Sequence, residues 1–334
     1  MKFAYKTKRF PSMGKYSLES LFLPLIVFSI VVIMIFVEPR FFTQLNISNV
    51  LRNFSVLSFI ALCQGMVMIV GGFDLSVGSI MALASVVAAT IMISFQAVVP
   101  NYPLVAVSGG IGVGLLAGAL AGSLNGVLVS KLKASPFIIT MGTMSIISGS
   151  IYVYTKGVPI YGLPRFLVTD IGRGRLFDLP LLFFIALAAI LVVWFIMAKL
   201  PIGRHAYAVG SNARAAFESG INPTKTLIVV YTFAGFLAAF AGLIITTRIG
   251  AGQSGIGANA AIESIAAAII GGVSLRGGIG SIPRIALGAF FLAIISNALN
   301  LAQINSKYQT MVLGFFLIFA IAIERRIKKE ASND

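Results

Sequence analysis

A short polar segment, Gly71-Gly72-Phe73-Asp74-Leu75-Ser76-Val77-Gly78-Ser79, separates two long apolar stretches. Its paired glycines weaken the end of the preceding helix, and Ser76 or Ser79 is a suitable N-cap for the next one. Asp74 then lies at the positive end of that helix, where a carboxylate is stabilised. A carboxylate between two potential membrane spans is costly unless protein or water shields it, and such residues often line a transport route. A structural cap and a pathway residue are therefore both open roles for Asp74. We call 71–79 the first break.

A second segment, 271–281, repeats this order of features. It has the pair Gly271-Gly272, then a short polar turn, then glycine and Ser281. Glu263 precedes it by about two helical turns. Interrupted helices at corresponding positions in the two halves of a chain are the best sequence indication of a transporter's central pathway. We call 271–281 the second break.

A third segment, the loop 201–221, contains a short alanine-rich helix. Ser211 is the predicted N-cap of this helix, and Gly220 is a suitable residue just past its end. Three of its residues share one face: Ala213, Ala216 and Phe217. Two helical turns are marginally stable alone, so this helix must pack against something. Either the membrane surface or a groove in a partner protein would serve.

Several kinds of site have no candidate residues in the sequence. No Gly-x-x-x-x-Gly-Lys-Ser/Thr run is present, so the chain has no recognisable phosphate-binding loop. Cys63 is the only cysteine and His205 the only histidine, which argues against disulfides, cysteine clusters and multi-histidine metal sites. No serine, histidine and acid form a catalytic set. We therefore expect a protein that is not an enzyme and that binds no cofactor or metal.

The composition is that of a membrane protein. Of 334 residues, 58% are hydrophobic and only 10% are charged, and the mean hydropathy is +0.99. Soluble domains carry about 25% charged residues. The net charge of +15 comes from basic residues in short segments between apolar runs, as in the cytoplasmic loops of membrane proteins. Membrane lipid is therefore an expected partner, and nucleic acid is not.

Hydropathy predicts an all-α, polytopic transmembrane bundle of about ten spans with broken helices. The eighth predicted span is too short to cross a bilayer as a complete helix, so we expect it to be broken. The predicted spans are 20–37, 54–71, 79–99, 104–129, 136–155, 179–198, 226–247, 262–272, 285–302 and 308–323.

Charge predicts that both termini are cytoplasmic, because the tails 1–19 and 324–334 are basic and flank an even number of spans. The transmembrane domain is then 20–323, with the loop 201–221 on the cytoplasmic side. The loop 156–178 disagrees with this topology, since it falls outside yet is basic. Its charged residues are Lys156, Arg165, Arg173 and Arg175, against Asp170 and Asp178.

Glycine recurs every fourth residue in the fourth predicted span, at Gly110, Gly114, Gly118, Gly122 and Gly126. Such a row lets a neighbouring backbone approach closely. We therefore interpret these glycines as packing residues rather than as solute contacts.

Four sequence runs together resemble the permease subunits of ribose-type sugar ABC importers, which also include xylose, arabinose, galactoside and allose permeases. The runs are GGFDLSVGS at 71–79, LNGVLVSKLKASPFIITMGTM at 124–144, PIGRHAYAVGSNARAAFESGI at 201–221 and ESIAAAIIGGVSLRGGIGS at 263–281. The resemblance covers nearly the whole chain after about Asn46. Phe73 stands where relatives usually have isoleucine, and Ser211 where they have a second glycine, which leaves the class unchanged.

The resemblance implies a bacterial cytoplasmic (inner) membrane protein with three protein partners. These are a second permease copy or paralogue, a cytoplasmic ABC ATPase, and a periplasmic or lipid-anchored solute-binding protein. It also implies that the loop 201–221 docks the ATPase. The docking residues would be Gly203, Arg204, Gly210, Ser211, Asn212, Ala216, Phe217, Glu218 and Gly220.

We therefore expect a permease subunit that imports a sugar or sugar-like solute with ATP hydrolysed by its partner. The candidate pathway residues are the polar groups of the bundle: Asp74, Ser76, Ser79, Asn125, Thr140, Thr143, Glu263, Asn297 and Asn300. A nucleoside or a branched-chain amino acid is an alternative solute, because permeases for both are distant relatives. An ion-coupled secondary carrier is an alternative mechanism, although Asp74 and Glu263 are few titratable groups for it. A membrane-embedded enzyme would need a cluster of acids or metal ligands that the sequence lacks.

Overall fold

The computed structural model describes residues 38–305 without a gap, together with parts of 24–36 and 308–318. The predicted spans 20–37 and 308–323 therefore lie largely outside the described residues, and the tails 1–19 and 324–334 lie outside them entirely. The described helices are α1 (Gln44–Ile69), α2 (Val77–Val98), α3 (Pro103–Leu132), α4 (Pro136–Thr155), α5 (Leu181–Lys199), α6 (Pro201–Ser211), α7 (Ala213–Glu218), α8 (Pro223–Ile249), α9 (Ala260–Ile270) and α10 (Ile282–Leu301).

Within the described residues, 7 helices are long and apolar enough to cross a membrane: α1 to α5, α8 and α10. Helix α9 has 11 residues, which is about 16 Å at 1.5 Å per residue and too short to span. Its shortness was predicted from the run 262–272. The prediction of an all-α membrane bundle with broken helices is confirmed.

The predicted start of the second span was wrong by about ten residues, because α1 begins at Gln44 rather than near 54. Polar residues in its first turns lower the hydropathy, yet Asn46 and Ser48 are buried. Asn46 and Asn297 on α10 exchange two amide hydrogen bonds of 2.8 and 2.9 Å. A hydropathy window treats such paired amides as exposed polar groups.

Helix α1 lies at the centre of the bundle. Of its most apolar window, 83% is buried, against 17% for α4. Glycine allows α3 to approach α8 closely: a Cβ on Gly118 would lie 2.7 Å from the Gly235 carbonyl oxygen, and one on Gly126 would lie 2.7 Å from Ile228 Cα. The interpretation of the α3 glycines as packing residues is confirmed at these contacts.

The basic loop 156–178 ends in a small hairpin. Strand β1 (Arg175–Leu176) pairs antiparallel with β2 (Leu179–Pro180). Phe177 and Asp178 between them have φ of 48° and 61°, as a two-residue turn of type I′ requires. Earlier in the loop, Ile160 exchanges backbone hydrogen bonds of 2.8 and 2.9 Å with Gly252. The loop is therefore fixed to the connection between α8 and α9.

Candidate functional site

The first break begins where α1 ends in a left-handed glycine. Gly71 has φ of 88°. Its N–H donates to the Met68 carbonyl at 3.0 Å, and the Gly72 N–H donates to the Val67 carbonyl at 2.8 Å. These two bonds close the helix as a Schellman motif does. The chain then turns through Phe73 to Ser76 and enters α2.

Asp74 is fully buried and shapes this turn. Its Oδ1 accepts a hydrogen bond of 2.8 Å from the Ser76 N–H and another of 2.6 Å from the Ser76 hydroxyl. Asn125 on α3 donates its Nδ2 to the same hydroxyl at 2.8 Å. Asp74 Oδ2 and Asn125 Oδ1 are buried and have no hydrogen-bond partner among the residues that the structure describes. The carboxylate thus holds the start of α2, and Ser76 itself makes no side-chain cap.

Two further helices hold the backbone of the first break. The Leu75 N–H donates to Thr140 Oγ1 on α4 at 3.0 Å. The Tyr231 hydroxyl on α8 donates to the Phe73 carbonyl at 3.1 Å. With Asn125, side chains from α3, α4 and α8 therefore converge on the turn.

The second break repeats the helix end of the first. Gly272 has φ of 80°. Its N–H donates to the Ile269 carbonyl at 2.8 Å, and the Val273 N–H donates to the Ala268 carbonyl at 3.0 Å. The Ser274 hydroxyl then accepts from the Arg276 N–H at 3.3 Å, as Asp74 accepts from Ser76. The similarity predicted from sequence extends to the backbone at both helix ends.

The loop 201–221, formed by α6 and α7, lies directly against both breaks, and we call it the docking segment. A Cβ on Gly277 would lie 2.8 Å from the Gly210 carbonyl oxygen and 2.9 Å from Gly71 Cα. A Cβ on Gly278 would lie 2.8 Å from Ser211 Cα. The three predicted segments therefore meet at one point, through backbone atoms.

Two hydrogen bonds strengthen this meeting point. The Gly278 N–H donates to the Ile69 carbonyl at the end of α1 at 2.8 Å. The Tyr207 hydroxyl on α6 donates to the Gly280 carbonyl at 3.0 Å. Burial raises the pKa of Tyr207, so its hydroxyl keeps the proton that it donates. The second break is thus bonded both to α1 and to the docking segment.

The predicted N-cap of the short helix was wrong by one residue. Ser211 is the last residue of α6, where its hydroxyl donates to the Tyr207 carbonyl at 2.9 Å. Asn212 caps α7 instead, accepting from the N–H groups of Arg214 and Ala215 at 3.0 Å each. Ser211 and Asn212 are both suitable capping residues. Because α6 continues through Ser211, Asn212 is the residue that caps α7.

The remaining predicted docking residues divide into inward and outward groups. Gly203 and Ala216 are buried, whereas Phe217 is 66% exposed. Arg204 is exposed and donates to the Lys199 carbonyl at 3.4 Å. Glu218 pairs with Arg214 one turn earlier, with Nε 3.3 Å from Oε1. Ala216 is therefore covered by the bundle, while Phe217 is open to solvent.

A cavity of about 270 Å³, which we call the α9 cavity, lies between α1, α2, α8 and α9. Glu263, in the first turn of α9, lines it. Three polar residues without a predicted role line it too: Asn53, Arg248 and Asn259. Apolar side chains complete the wall as far as Ile60 on α1. Of the predicted pathway residues, Glu263 is the one that lines this cavity.

The other predicted pathway residues lie elsewhere. Ser79 and Thr143 bond back to carbonyls of their own helices, those of Ser76 at 2.8 Å and Thr140 at 3.1 Å. Asn297 is paired with Asn46, and exposed Asn300 accepts from Gln309 at 2.8 Å. The predicted residues thus form three separate groups: the first break, the α9 cavity and the far end of α10.

Comparison with known proteins assigns the chain to a family. Residues 46–321 match the family model described as the permease component of branched-chain amino acid transport systems. The chain is 38% identical over 312 residues to the ribose import permease protein of Haemophilus influenzae, covering 92% of this chain and 93% of that one. It is 37% identical over 300 residues to the ribose import permease protein of Bacillus subtilis, covering 90% of each.

A third relative is the D-allose transport system permease protein of Escherichia coli, 36% identical over 293 residues, with 87% of each chain covered. No solved structure matches the chain. The family match includes both breaks, the docking segment and the α9 cavity. The chain therefore belongs to the family of branched-chain amino acid transport system permease components, and it is a membrane transport subunit.

Proposed function

We propose that this chain is the permease subunit of an ATP-binding-cassette importer that carries a sugar or sugar-like solute into a bacterial cell. Its relatives are named for ribose and allose import. The observation that carries the proposal is the direct contact of the docking segment with both helix breaks. A segment placed there can pass a movement at the membrane surface to helices inside the bundle.

The coupling step uses the close backbone contact among Gly71, Gly210 and Gly277. When a partner ATPase closes on ATP, it displaces the docking segment. No flexible side chain stands between the three glycines to absorb that displacement, because a Cβ on Gly277 would already lie within 3 Å of both neighbours. The displacement therefore reaches the second break and the end of α1, and it changes access to the pathway.

The solute pathway runs through the α9 cavity. Asn53, Asn259 and Glu263 offer hydrogen bonds to hydroxyl groups, and the N-terminus of broken α9 adds its dipole. Beyond Ile60, Cys63 and Val67 on α1 are fully buried and close the route towards the docking segment. We assign the Asp74–Ser76 turn of the first break, together with Asn125 on α3, to holding the start of α2 in place rather than to contacting solute.

The two ends of the bundle bind different partner proteins. An ABC ATPase binds at α7, where Phe217 is exposed, and a solute-binding protein binds at the opposite end of α1. A second permease copy or paralogue completes the complex in the cytoplasmic membrane. Both termini are cytoplasmic, so 1–19 and 324–334 are cytoplasmic tails on the permease domain 20–323.

The alternative mechanism, an ion-coupled carrier, is less well supported. It needs several titratable groups that face the pathway, and of the two candidate acids Glu263 lines the α9 cavity, whereas Asp74 is held within the first break. A nucleoside or branched-chain amino acid remains the alternative solute, since the family model carries the latter description.

Reconstitution tests the mechanism directly. The purified chain in lipid vesicles should hydrolyse no ATP and should take up solute only with its partner ATPase. ATP turnover by the isolated chain, or uptake driven by an ion gradient without the ATPase, would overturn the proposal.

Gly220 provides a matched test of the docking segment. It ends α7 with φ of 82°, and a Cβ there would meet no atom within 4 Å. Gly220→Val therefore acts only through the backbone, where the left-handed conformation costs about 1–2 kcal/mol, whereas Asn adopts this conformation more readily. We expect Gly220→Val to weaken co-purification of the ATPase and Gly220→Asn to retain it. Equal retention by both variants would remove α7 from the coupling route.

A further inference from the structure

Four arginines converge on one cavity at the end of α1 opposite the docking segment. The cavity has a volume of about 400 Å³ and is lined by Arg52, Gly172, Arg173, Arg175 and Arg248. Arg52 comes from the third turn of α1 and Arg248 from the last turn of α8. Arg173 and Arg175 come from the loop that precedes and forms β1. Three separate parts of the chain thus bring positive charge to the same space.

These arginines are not neutralised by acids of the described chain. The ion pairs found among the described residues are Arg40 with Glu38 and Arg214 with Glu218, and neither lies at this cavity. Among the described residues, the Nε of Arg52 is buried without a hydrogen-bond partner. One nitrogen of exposed Arg248 donates to the Arg52 carbonyl at 3.4 Å. Like charges gathered without a counter-charge repel, and a buried unsatisfied donor calls for a specific explanation.

The same residues explain the anomaly in the charge pattern. The loop 156–178 is basic although the topology places it outside, against the positive-inside rule. Arg173 and Arg175 of this loop lie at the cavity. Selection for binding at this point, rather than for topology, accounts for positive charge on that side.

We propose that the four-arginine cavity is an oxyanion-binding site that takes a carboxylate or phosphate group carried by a small solute. Guanidinium groups bind both kinds of group through paired hydrogen bonds in a fixed fork geometry. The excess positive charge of the four arginines is neutralised only when such a group is bound.

The position of the cavity favours a solute over a lipid headgroup. Arg248 lines both this cavity and the α9 cavity, so the two are neighbours. Helix α1, which supplies Arg52, is the most buried span of the bundle rather than a lipid-facing one. An anionic group held here therefore lies at the entrance to the pathway, a location that rests on the proposed function.

Binding to the purified full-length chain in lipid nanodiscs tests the site without any partner. The probes share one pyranose skeleton: glucose, glucuronate and glucose 6-phosphate, compared by calorimetry at constant ionic strength. We expect glucose 6-phosphate to bind most tightly, glucuronate less tightly and glucose at least about tenfold more weakly than the phosphate, a difference of about 1.4 kcal/mol. Inorganic phosphate tests whether the anionic group alone is sufficient, and binding by it also supports the site.

A pair of double variants separates the site from general surface charge. Arg173→Ala/Arg175→Ala removes two charges from the cavity, and Lys156→Asn/Arg165→Ala removes two from elsewhere in the same loop. Asparagine suits position 156, where φ is 52°. We expect the first variant to lose at least about tenfold in phosphate affinity and the second to stay within about threefold, with unchanged unfolding temperatures.

Three results would overturn the proposal: no binding of any anion, glucose binding as tight as that of glucose 6-phosphate, or equal losses in the two variants. The first of these would instead favour acidic side chains of a docked protein as the natural counter-charge. Because no ATPase or uptake is involved, such a failure would leave the proposed import function standing on its own tests.

Discussion

The two helix breaks have the same backbone at their helix ends but different surroundings. Most of the first break is buried, and its turn is held by side chains: Asp74 within the turn, and Asn125, Thr140 and Tyr231 from three helices. The second break is partly exposed, and its backbone lies against the docking segment.

This difference indicates unequal roles. A turn bonded to three helices moves only if those helices move. A turn that shares a backbone contact with the docking segment follows that segment. We infer that the second break transmits the movement and that the Asp74–Ser76 turn of the first break is the fixed point against which it acts.

Among the changes that test this difference between the breaks, Gly210→Ala should have the largest effect on ATP-driven uptake. A Cβ at Gly210 would overlap the Ile69 carbonyl oxygen and lie 2.7 Å from the Gly278 nitrogen. Overpacking of this kind destabilises the packed conformation by about 1–3 kcal/mol. A free-energy difference of about 1.4 kcal/mol changes an equilibrium constant about tenfold. We expect ATP-driven uptake to fall about tenfold or more.

Gly112→Ala is the matched control, because it is also helical and its Cβ would meet no atom within 4 Å. Its uptake and unfolding temperature should stay near those of the wild type. Equal uptake by the two variants would show that the contact at Gly210 is not part of coupling.

Asp74 tests the fixed character of the first break. Asp74→Ala leaves the N–H and hydroxyl of Ser76 without their acceptor, which should lower the free energy of unfolding by about 1–3 kcal/mol. Asp74→Asn keeps an acceptor oxygen, so it should cost less than about 1 kcal/mol and retain uptake. Thermal unfolding and vesicle uptake measure the two effects. A stable Asp74→Asn variant without uptake would show that the charge acts on the solute.

Two tyrosine-to-phenylalanine substitutions, one at each break, make the smallest change and match each other most closely. Tyr231→Phe removes one hydroxyl from the Phe73 carbonyl in the first break, and Tyr207→Phe removes one from the Gly280 carbonyl in the second. Each should lower the free energy of unfolding by about 0.5–1.5 kcal/mol. Only Tyr207→Phe should lower the amount of solute moved per ATP hydrolysed. A loss confined to Tyr231→Phe would reverse the roles of the breaks.

Much of the fold could be predicted from local sequence. The ends of both breaks, the short α9 and the packing of the α3 glycines follow from glycine position and apolar length. The start of α1 could not, because Asn46 is compatible with the bundle only through its pairing with Asn297, 251 residues away. Such long-range pairs leave no periodic signal.

The candidate site could be predicted only in part. Asp74, Glu263 and the docking segment stood out because charge, glycine and capping residues are unusual between apolar runs. Tyr231, Asn53 and Arg248 did not stand out, since their roles arise from tertiary contacts. The basic loop 156–178 was a visible anomaly, but its meaning required the position of Arg52 and Arg248.

Spin-label distances from the second break to the docking segment and to α3 test the central claim most directly. The pairs Ser211→Cys/Arg276→Cys and Lys131→Cys/Arg276→Cys place labels at exposed positions, and the native Cys63 is fully buried and unavailable to the label. Measured in the complete complex with and without ATP, the distance from 211 to 276 should stay constant while the distance from 131 to 276 changes. A constant distance from 131 to 276, with a changing distance from 211 to 276, would contradict transmission through the second break.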